Sequence, residues 1–196
     1  MARQTKESKL NLNLIIVDNF YRDPDHVRSL ALRAEFSERG NYPGRRTAPY
    51  LNDEITRAIP DLIGESIRDW EEDVANGSFQ YTTCRDRTWI HADLHNAWAG
   101  VLYLTPHAPS TGGTAFYKHL PTGFFSYPED EELRELCGHD SQDYTKWERL
   151  DVVANVYNRL ILFNAKRFHA SQDYFGHDLS DARLFQTFFF NTADAS

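Results

Sequence analysis

Two histidines and an aspartate carry the most specific chemistry in this sequence of 196 residues. His91 and Asp93 stand at i and i+2 in Trp89-Ile90-His91-Ala92-Asp93, so on an extended strand both side chains leave the same face. His169 follows 78 residues later, at the junction of two apolar runs. Two imidazoles and one carboxylate form the facial set that holds non-haem Fe(II) and leaves adjacent coordination positions open for other reactants. His95 keeps the same phase two residues beyond Asp93 and is the alternative to His91, although Leu94–Asn96 reads as a turn. The remaining histidines, His26, His107, His119, His139 and His177, fall at a helix start or in loops, where solvated or capping roles are the default.

Arg183 lies 14 residues beyond His169, at the head of the apolar run Arg183-Leu184-Phe185-Gln186-Thr187-Phe188-Phe189-Phe190. A guanidinium entering a barrel interior needs an anion, because burying it unpaired is costly. Either a protein carboxylate or a dicarboxylate cosubstrate, gripped through two parallel hydrogen bonds, meets that need. Arg85, Arg87 and Arg167 neighbour the histidines in sequence, and Trp147 sits in a long loop; these four are the candidate substrate contacts, with ordinary surface charge the alternative for the arginines.

These residues need a scaffold, and the texture of the chain predicts a mainly β one. From Phe79 onward short β-branched and aromatic runs are punctuated by Gly, Pro, Asn and Asp. Strands are expected near Phe79–Thr83, Thr88–Asp93, Trp98–Leu104, Gly113–Lys118, Asp151–Val156, Arg159–Asn164, Ala170–Asp173 and Arg183–Asn191, enough to close a small double-sheet jelly roll. Ahead of them, Leu12–Val17 reads as a strand. Val27–Phe36 reads as an amphipathic helix entered at Pro24, and Asn52–Val74 as a second helix that Pro60 could split. The expected organisation is one domain over 1–196, with a helical N-terminal part at about 12–76 packed on a jelly-roll core at about 79–191. Between Pro121 and Leu150 an acidic, irregular stretch reads as a lid or as a solvated excursion.

Composition narrows the class. Hydrophobic residues at 41% and charged residues at 26% are ordinary for a globular chain, and the net charge of -8 opposes wholesale binding along a nucleic-acid backbone. Cys84 and Cys137 are too few for a disulfide framework and read as reduced thiols. The polar start lacks the apolar segment of a secretory signal, and no apolar run approaches a membrane span, so a cytoplasmic protein without a membrane partner is expected.

Taken together, the sequence from about Phe79 to Asn191 resembles the iron(II)- and 2-oxoglutarate-dependent oxygenases, most closely their prolyl-4-hydroxylase-like branch. His91, Asp93 and His169 match the family's iron ligands, and Arg183 matches the basic residue that binds the far carboxylate of 2-oxoglutarate. Tyr103 resembles the strand tyrosine that helps hold that carboxylate, and Tyr81, ten residues before His91, the tyrosine near the cosubstrate. Gly112-Gly113-Thr114-Ala115-Phe116 resembles the branch's Gly-Gly-x-x-x-Phe element. An insertion at Tyr174–Asp181 lengthens the usual spacing to the arginine. Asp18–Pro24 resembles the strand-to-helix entry of small bacterial members tied to natural-product biosynthesis.

The resemblance implies a jelly-roll dioxygenase using Fe(II), 2-oxoglutarate and O2. Because Asp93 supplies the carboxylate that halogenating relatives lack, it implies hydroxylation of a C–H bond, with desaturation or ring formation open to the same triad. A small molecule, such as an amino acid or a biosynthetic intermediate, is the leading substrate class, closed in by the 121–150 segment and the N-terminal helices, which could equally offer a homodimer face. The alternatives are a residue in a protein or on a carrier and, from another class, a cupin-like metal-binding protein without oxygenase activity. Arg183 separates the last of these, which has no use for an arginine opposite the metal.

Overall fold

The computed structural model describes residues 12–72 and 76–193. Ten strands and three helices follow in the order β1 (Leu14–Val17), α1 (Pro24–Arg33), β2 (Arg45–Pro49), α2 (Asp53–Ile63), β3 (Ile67–Trp70), β4 (Ser78–Thr82), β5 (Trp98–Tyr103), β6 (Thr114–His119), α3 (Glu131–His139), β7 (Trp147–Val153), β8 (Leu160–Asn164), β9 (His169–Ser171) and β10 (Arg183–Thr192). The larger sheet runs β1-β8-β5-β10-β4-β2, with β3 also paired to β10, and the smaller runs β7-β6-β9. Every pairing is antiparallel.

Alternation along β10 explains the layers. Leu184, Phe188 and Phe190 point outward and pack with Ile55, Ile59 and Ile63 of α2 and Val27 and Ala31 of α1. Arg183, Phe185, Thr187 and Phe189 therefore share the inner face, between the sheets. There Phe185 joins Tyr103 of β5, Phe163 of β8 and Phe116 of β6 in a second core. The Phe116 and Phe163 rings meet edge-on with centroids 5.1 Å apart, which ties one sheet to the other.

The helices form where capping chemistry allows. Asp23 accepts the backbone N–H of His26 at 3.0 Å ahead of Pro24, and Asn52 accepts that of Ile55 at 3.0 Å. The second helix is shorter than the sequence reading. It passes through Pro60, which stands close enough to the end to cost little, and stops at Gly64, whose φ of +68° makes a left-handed C-cap. The chain then becomes β3 where the longer helix was expected, and the last residues of that expected helix lie partly outside the described residues. The N-terminal part is thus less helical than expected, since β1, β2 and β3 all join the larger sheet.

Two further expectations change. Thr88–Asp93 is no strand: only His91 pairs, as an isolated bridge to His169, while Ile90 N–H donates to Ser141 O and Asp93 N–H to Ala165 O. Those flanking donors go to loops, so no ladder extends. The 121–150 stretch is ordered by α3 and two short 3-10 turns, and β7 begins earlier than expected, at Trp147. It covers the outer face of the smaller sheet through Cys137 and Trp147, which cluster with Phe168. Fully buried His119 pins it, with Nε2 3.1 Å from Asp140 Oδ2, and Trp147 donates its indole N–H to Asp140 O at 2.9 Å.

Candidate metal centre

The bridge between His91 and His169 builds the site. His91 N–H donates to His169 O at 3.0 Å and His169 N–H to His91 O at 2.8 Å, so the two imidazoles leave a shared backbone pair on the same side. Their ring centroids are 4.4 Å apart. Asp93 Oδ2 lies 3.4 Å from His169 Nε2, and one ligand atom from each of His91, Asp93 and His169 falls within 4.8 Å of the others. Among the described residues no other group of His, Cys, Asp or Glu meets that geometry. His95, the alternative to His91, is exposed and lies outside the cluster.

Each imidazole is oriented by the backbone. His91 Nδ1 is 3.0 Å from Trp89 O and His169 Nδ1 is 2.8 Å from Arg167 O. A carbonyl only accepts, so both Nδ1 atoms carry the proton and both Nε2 lone pairs are free to coordinate. Burial, and next the neighbouring His91, push the His169 pKa down to about 4, which keeps that ring neutral at physiological pH.

Above the cluster lies an inner cavity of about 90 Å³, walled by Gln80, Arg46, Val101, Phe163 and Phe185 together with the three candidate ligands. It shares Arg46, His91, Asp93 and Phe189 with an outer cleft of about 570 Å³. Behind the inner wall sits Arg183, wholly buried on β10. Its Nε donates to Gly112 O at 2.8 Å and one terminal nitrogen to Gly113 O at 3.3 Å, while Nη1 has no partner. The guanidinium carbon lies 4.3 Å from the Phe185 ring centroid and 5.4 Å from that of Tyr103, and no protein carboxylate pairs with it among the described residues. Tyr103 is fully buried, its hydroxyl 2.8 Å from Thr114 Oγ1, and Thr114 lines the inner cavity. A donor held rigidly by two carbonyls with one orphaned N–H is the arrangement an incoming anion completes.

The other expected contacts lie elsewhere. Tyr81 pairs with Leu184 across β4 and β10, which puts it on the outer, helix-covered face, where it packs edge-on against Phe36 at 4.9 Å. Its neighbour Gln80, opposite Phe185, faces inward instead. Arg85 and Arg87 are exposed in the loop after β4 and line neither cavity. Arg167 is buried, paired to Asp151 of β7 at 2.7 Å and stacked over Phe116 of β6 at 4.5 Å, so its charge is spent within the smaller sheet. Trp147 belongs to the outer cover of the smaller sheet, and nothing in 121–150 lines either cavity. The walls come from the 88–96 segment, which carries His91 and Asp93, together with Arg39–Pro43, Arg46 and Glu71, whose part in the site the sequence reading did not single out. A β-strand arginine at position 46, next to a tight Gly-Asn-Tyr-Pro-Gly turn, was the available signal.

A family model described as "Family of unknown function (DUF6445)" matches residues 2–190. The chain belongs to the DUF6445 family. No curated protein matches this family member in sequence. Solved structures similar to it include HygX from Streptomyces hygroscopicus with nickel, 2-oxoglutarate and hygromycin B bound, at 13% identity over 93% of this chain and 84% of that one, with a TM-score of 0.63. The non-heme alpha ketoglutarate dependent carbocyclase SnoK from nogalamycin biosynthesis covers 91% of this chain and 79% of its own at 10% identity and a TM-score of 0.54. A Pseudomonas putida prolyl-4-hydroxylase covers 92% and 93% at 16% identity and a TM-score of 0.50. The fold of this DUF6445 member is therefore the jelly roll of the iron and 2-oxoglutarate oxygenases, as the resemblance implied. No helix among the described residues is long and apolar enough to cross a membrane.

Proposed function

We propose that this DUF6445 protein is an Fe(II)- and 2-oxoglutarate-dependent oxygenase that hydroxylates a C–H bond of a small molecule. The observation that carries the reading is the pairing of a His-His-Asp cluster with a buried, carboxylate-free arginine in one interior. A cupin-like metal protein accounts for the first and leaves the orphaned Arg183 Nη1 unexplained.

In this reading His91, Asp93 and His169 hold the iron, and the carbonyls of Trp89 and Arg167 fix the two imidazole rings in the tautomer that coordinates. Arg183, with Tyr103 and Thr114 beside it, holds the far carboxylate of the cosubstrate. With iron held there, O2 would be the oxidant and 2-oxoglutarate would give up two electrons as it is converted to succinate and carbon dioxide, one oxygen atom entering succinate and the other the substrate C–H bond. Phe163, Phe185, Val101 and Phe189 line the inner chamber and exclude water from it. Arg46 and Gln80, joined by a 2.6 Å hydrogen bond, form a polar edge between inner chamber and outer cleft that orients the substrate. The outer cleft has the size of a small-molecule site.

The test is anaerobic addition of Fe(II) and 2-oxoglutarate, followed by air and candidate metabolites. A weak visible charge-transfer band before oxygen, then succinate release with product heavier by one oxygen atom, is the expected result. Iron bound without the band overturns the reading.

A further inference from the structure

One polar cluster in the outer cleft has no part in the proposed iron chemistry. Glu71 follows β3, its backbone N–H donating to Phe189 O at 3.0 Å and its backbone O accepting from Asn76 Nδ2 at 3.0 Å. Both anchors fix where its side chain stands. Its carboxylate accepts a single hydrogen bond, from Asn96 Nδ2 to Oε2 at 2.5 Å, and among the described residues no lysine, arginine or histidine pairs with it. Asn96 is 7% exposed, and its Oδ1 is buried with no hydrogen-bond partner. Both residues belong to the wall of the cleft, which also contains His91 and Asp93.

The pair is therefore short of donors. A carboxylate has about four acceptor sites, of which Asn96 fills one, and the amide oxygen beside it has none filled. Glu71 is half-buried in the cleft wall with one oxygen held by Asn96, and the group that best completes this carboxylate is one with several donors, no acceptor and a positive charge. A primary ammonium has three N–H donors and meets all three conditions.

We infer that Glu71 and Asn96 bind the protonated amine of the substrate in the outer cleft, so that the oxygenase acts on small amine-bearing molecules. The inference rests on the oxygenase reading above and sharpens its substrate class. Glu71 and Asn96 are specificity residues here: they touch the substrate away from the reacting carbon and set which molecules reach the iron.

The experiment uses the whole chain loaded with Fe(II) and 2-oxoglutarate. The probes are the twenty proteinogenic amino acids and glucosamine, each run beside its N-acetyl derivative, with succinate release and oxygen gain as readouts. At least one free amine should raise succinate release tenfold or more over the substrate-free rate, and its N-acetyl partner should not. Glu71→Gln should raise the KM for that amine at least tenfold while keeping the charge-transfer band. The proposal is overturned if no free amine stimulates although the band forms, if acetylated partners work equally well, or if Glu71→Gln leaves the KM unchanged. Absence of the band in wild type defeats the oxygenase reading itself, so the two failures are told apart.

Discussion

His169 Nε2 stands 3.4 Å from Asp93 Oδ2 although the residues are 76 positions apart in the chain. Their meeting depends on the two backbone hydrogen bonds that lock His91 to His169, since Asp93 rides on the same segment as His91. A carboxylate facing an imidazole nitrogen whose opposite nitrogen is already committed to a carbonyl is a donor pair that can hold a cation between them.

Removing a ligand should abolish metal binding with little effect on the fold. Asp93→Ala and His169→Ala are each expected to weaken Fe(II) affinity by more than the ~10–100-fold that loss of an outer-shell partner causes. Anaerobic calorimetric titration measures this, and unaltered affinity in either variant moves the site elsewhere.

The depressed pKa of His169 predicts a pH dependence in the metal-free protein. Its folded value of about 4 lies below the ordinary 6.5, so the unfolded chain takes up the proton first as pH falls. Stability from the neutral ring is complete above pH 6.5 and declines between 6.5 and 4, by on the order of 3 kcal/mol in all. His169→Gln should flatten that part of a urea-denaturation profile; an unchanged slope excludes His169 as its source.

Two tyrosines that look alike in sequence should behave differently. Tyr103→Phe removes a hydroxyl beside Arg183 and Thr114, and Arg183→Met removes the anion's partner. The arginine change should raise the 2-oxoglutarate requirement about 10–100-fold, in line with ~1.5–3 kcal/mol for a charged hydrogen bond, and the tyrosine change less. Tyr81→Phe should leave it unchanged, because that ring packs on Phe36 behind the sheet. Steady-state KM values for 2-oxoglutarate decide the matter.

Gly113 is held to glycine by close approach. A Cβ there would meet Val153 O at 1.8 Å, where β6 begins its pairing with β7. Gly113→Ala should cost about 1–3 kcal/mol as the strands part, read from the denaturation midpoint. It should also raise the 2-oxoglutarate KM, since Gly113 O accepts from Arg183.

Arg85→Ala and Arg87→Ala should leave turnover unchanged, because both side chains are exposed and away from the cavities. A loss of activity in either would restore them to the substrate site.

Several features were legible because local spacing dictates them. The apolar run at 183–190 must lie between two packed layers, and α1 and α2 begin where Asp23 and Asn52 can cap them. His-x-Asp places two ligands on one side of any extended backbone. The side chain of Tyr81 was not legible in this way. Its distance from His91 matches the expected tyrosine, yet the register Leu184↔Tyr81 sends it outward and turns Gln80 inward. One residue of phase reverses the face, and phase is fixed by pairing with a strand about a hundred residues away.

The sequence by itself determined the β character of the chain, where its first two helices begin, the donor types of the cluster and the expectation of an anion at Arg183. Only the tertiary structure decided that His91 is the histidine facing His169, that Arg167 is spent on Asp151, and that Arg46, Glu71 and Asn96 wall the cleft. The physical reason is range: caps and strand faces are set by neighbours a few residues away, whereas a cavity is enclosed by side chains that meet only after long-range pairing fixes their register.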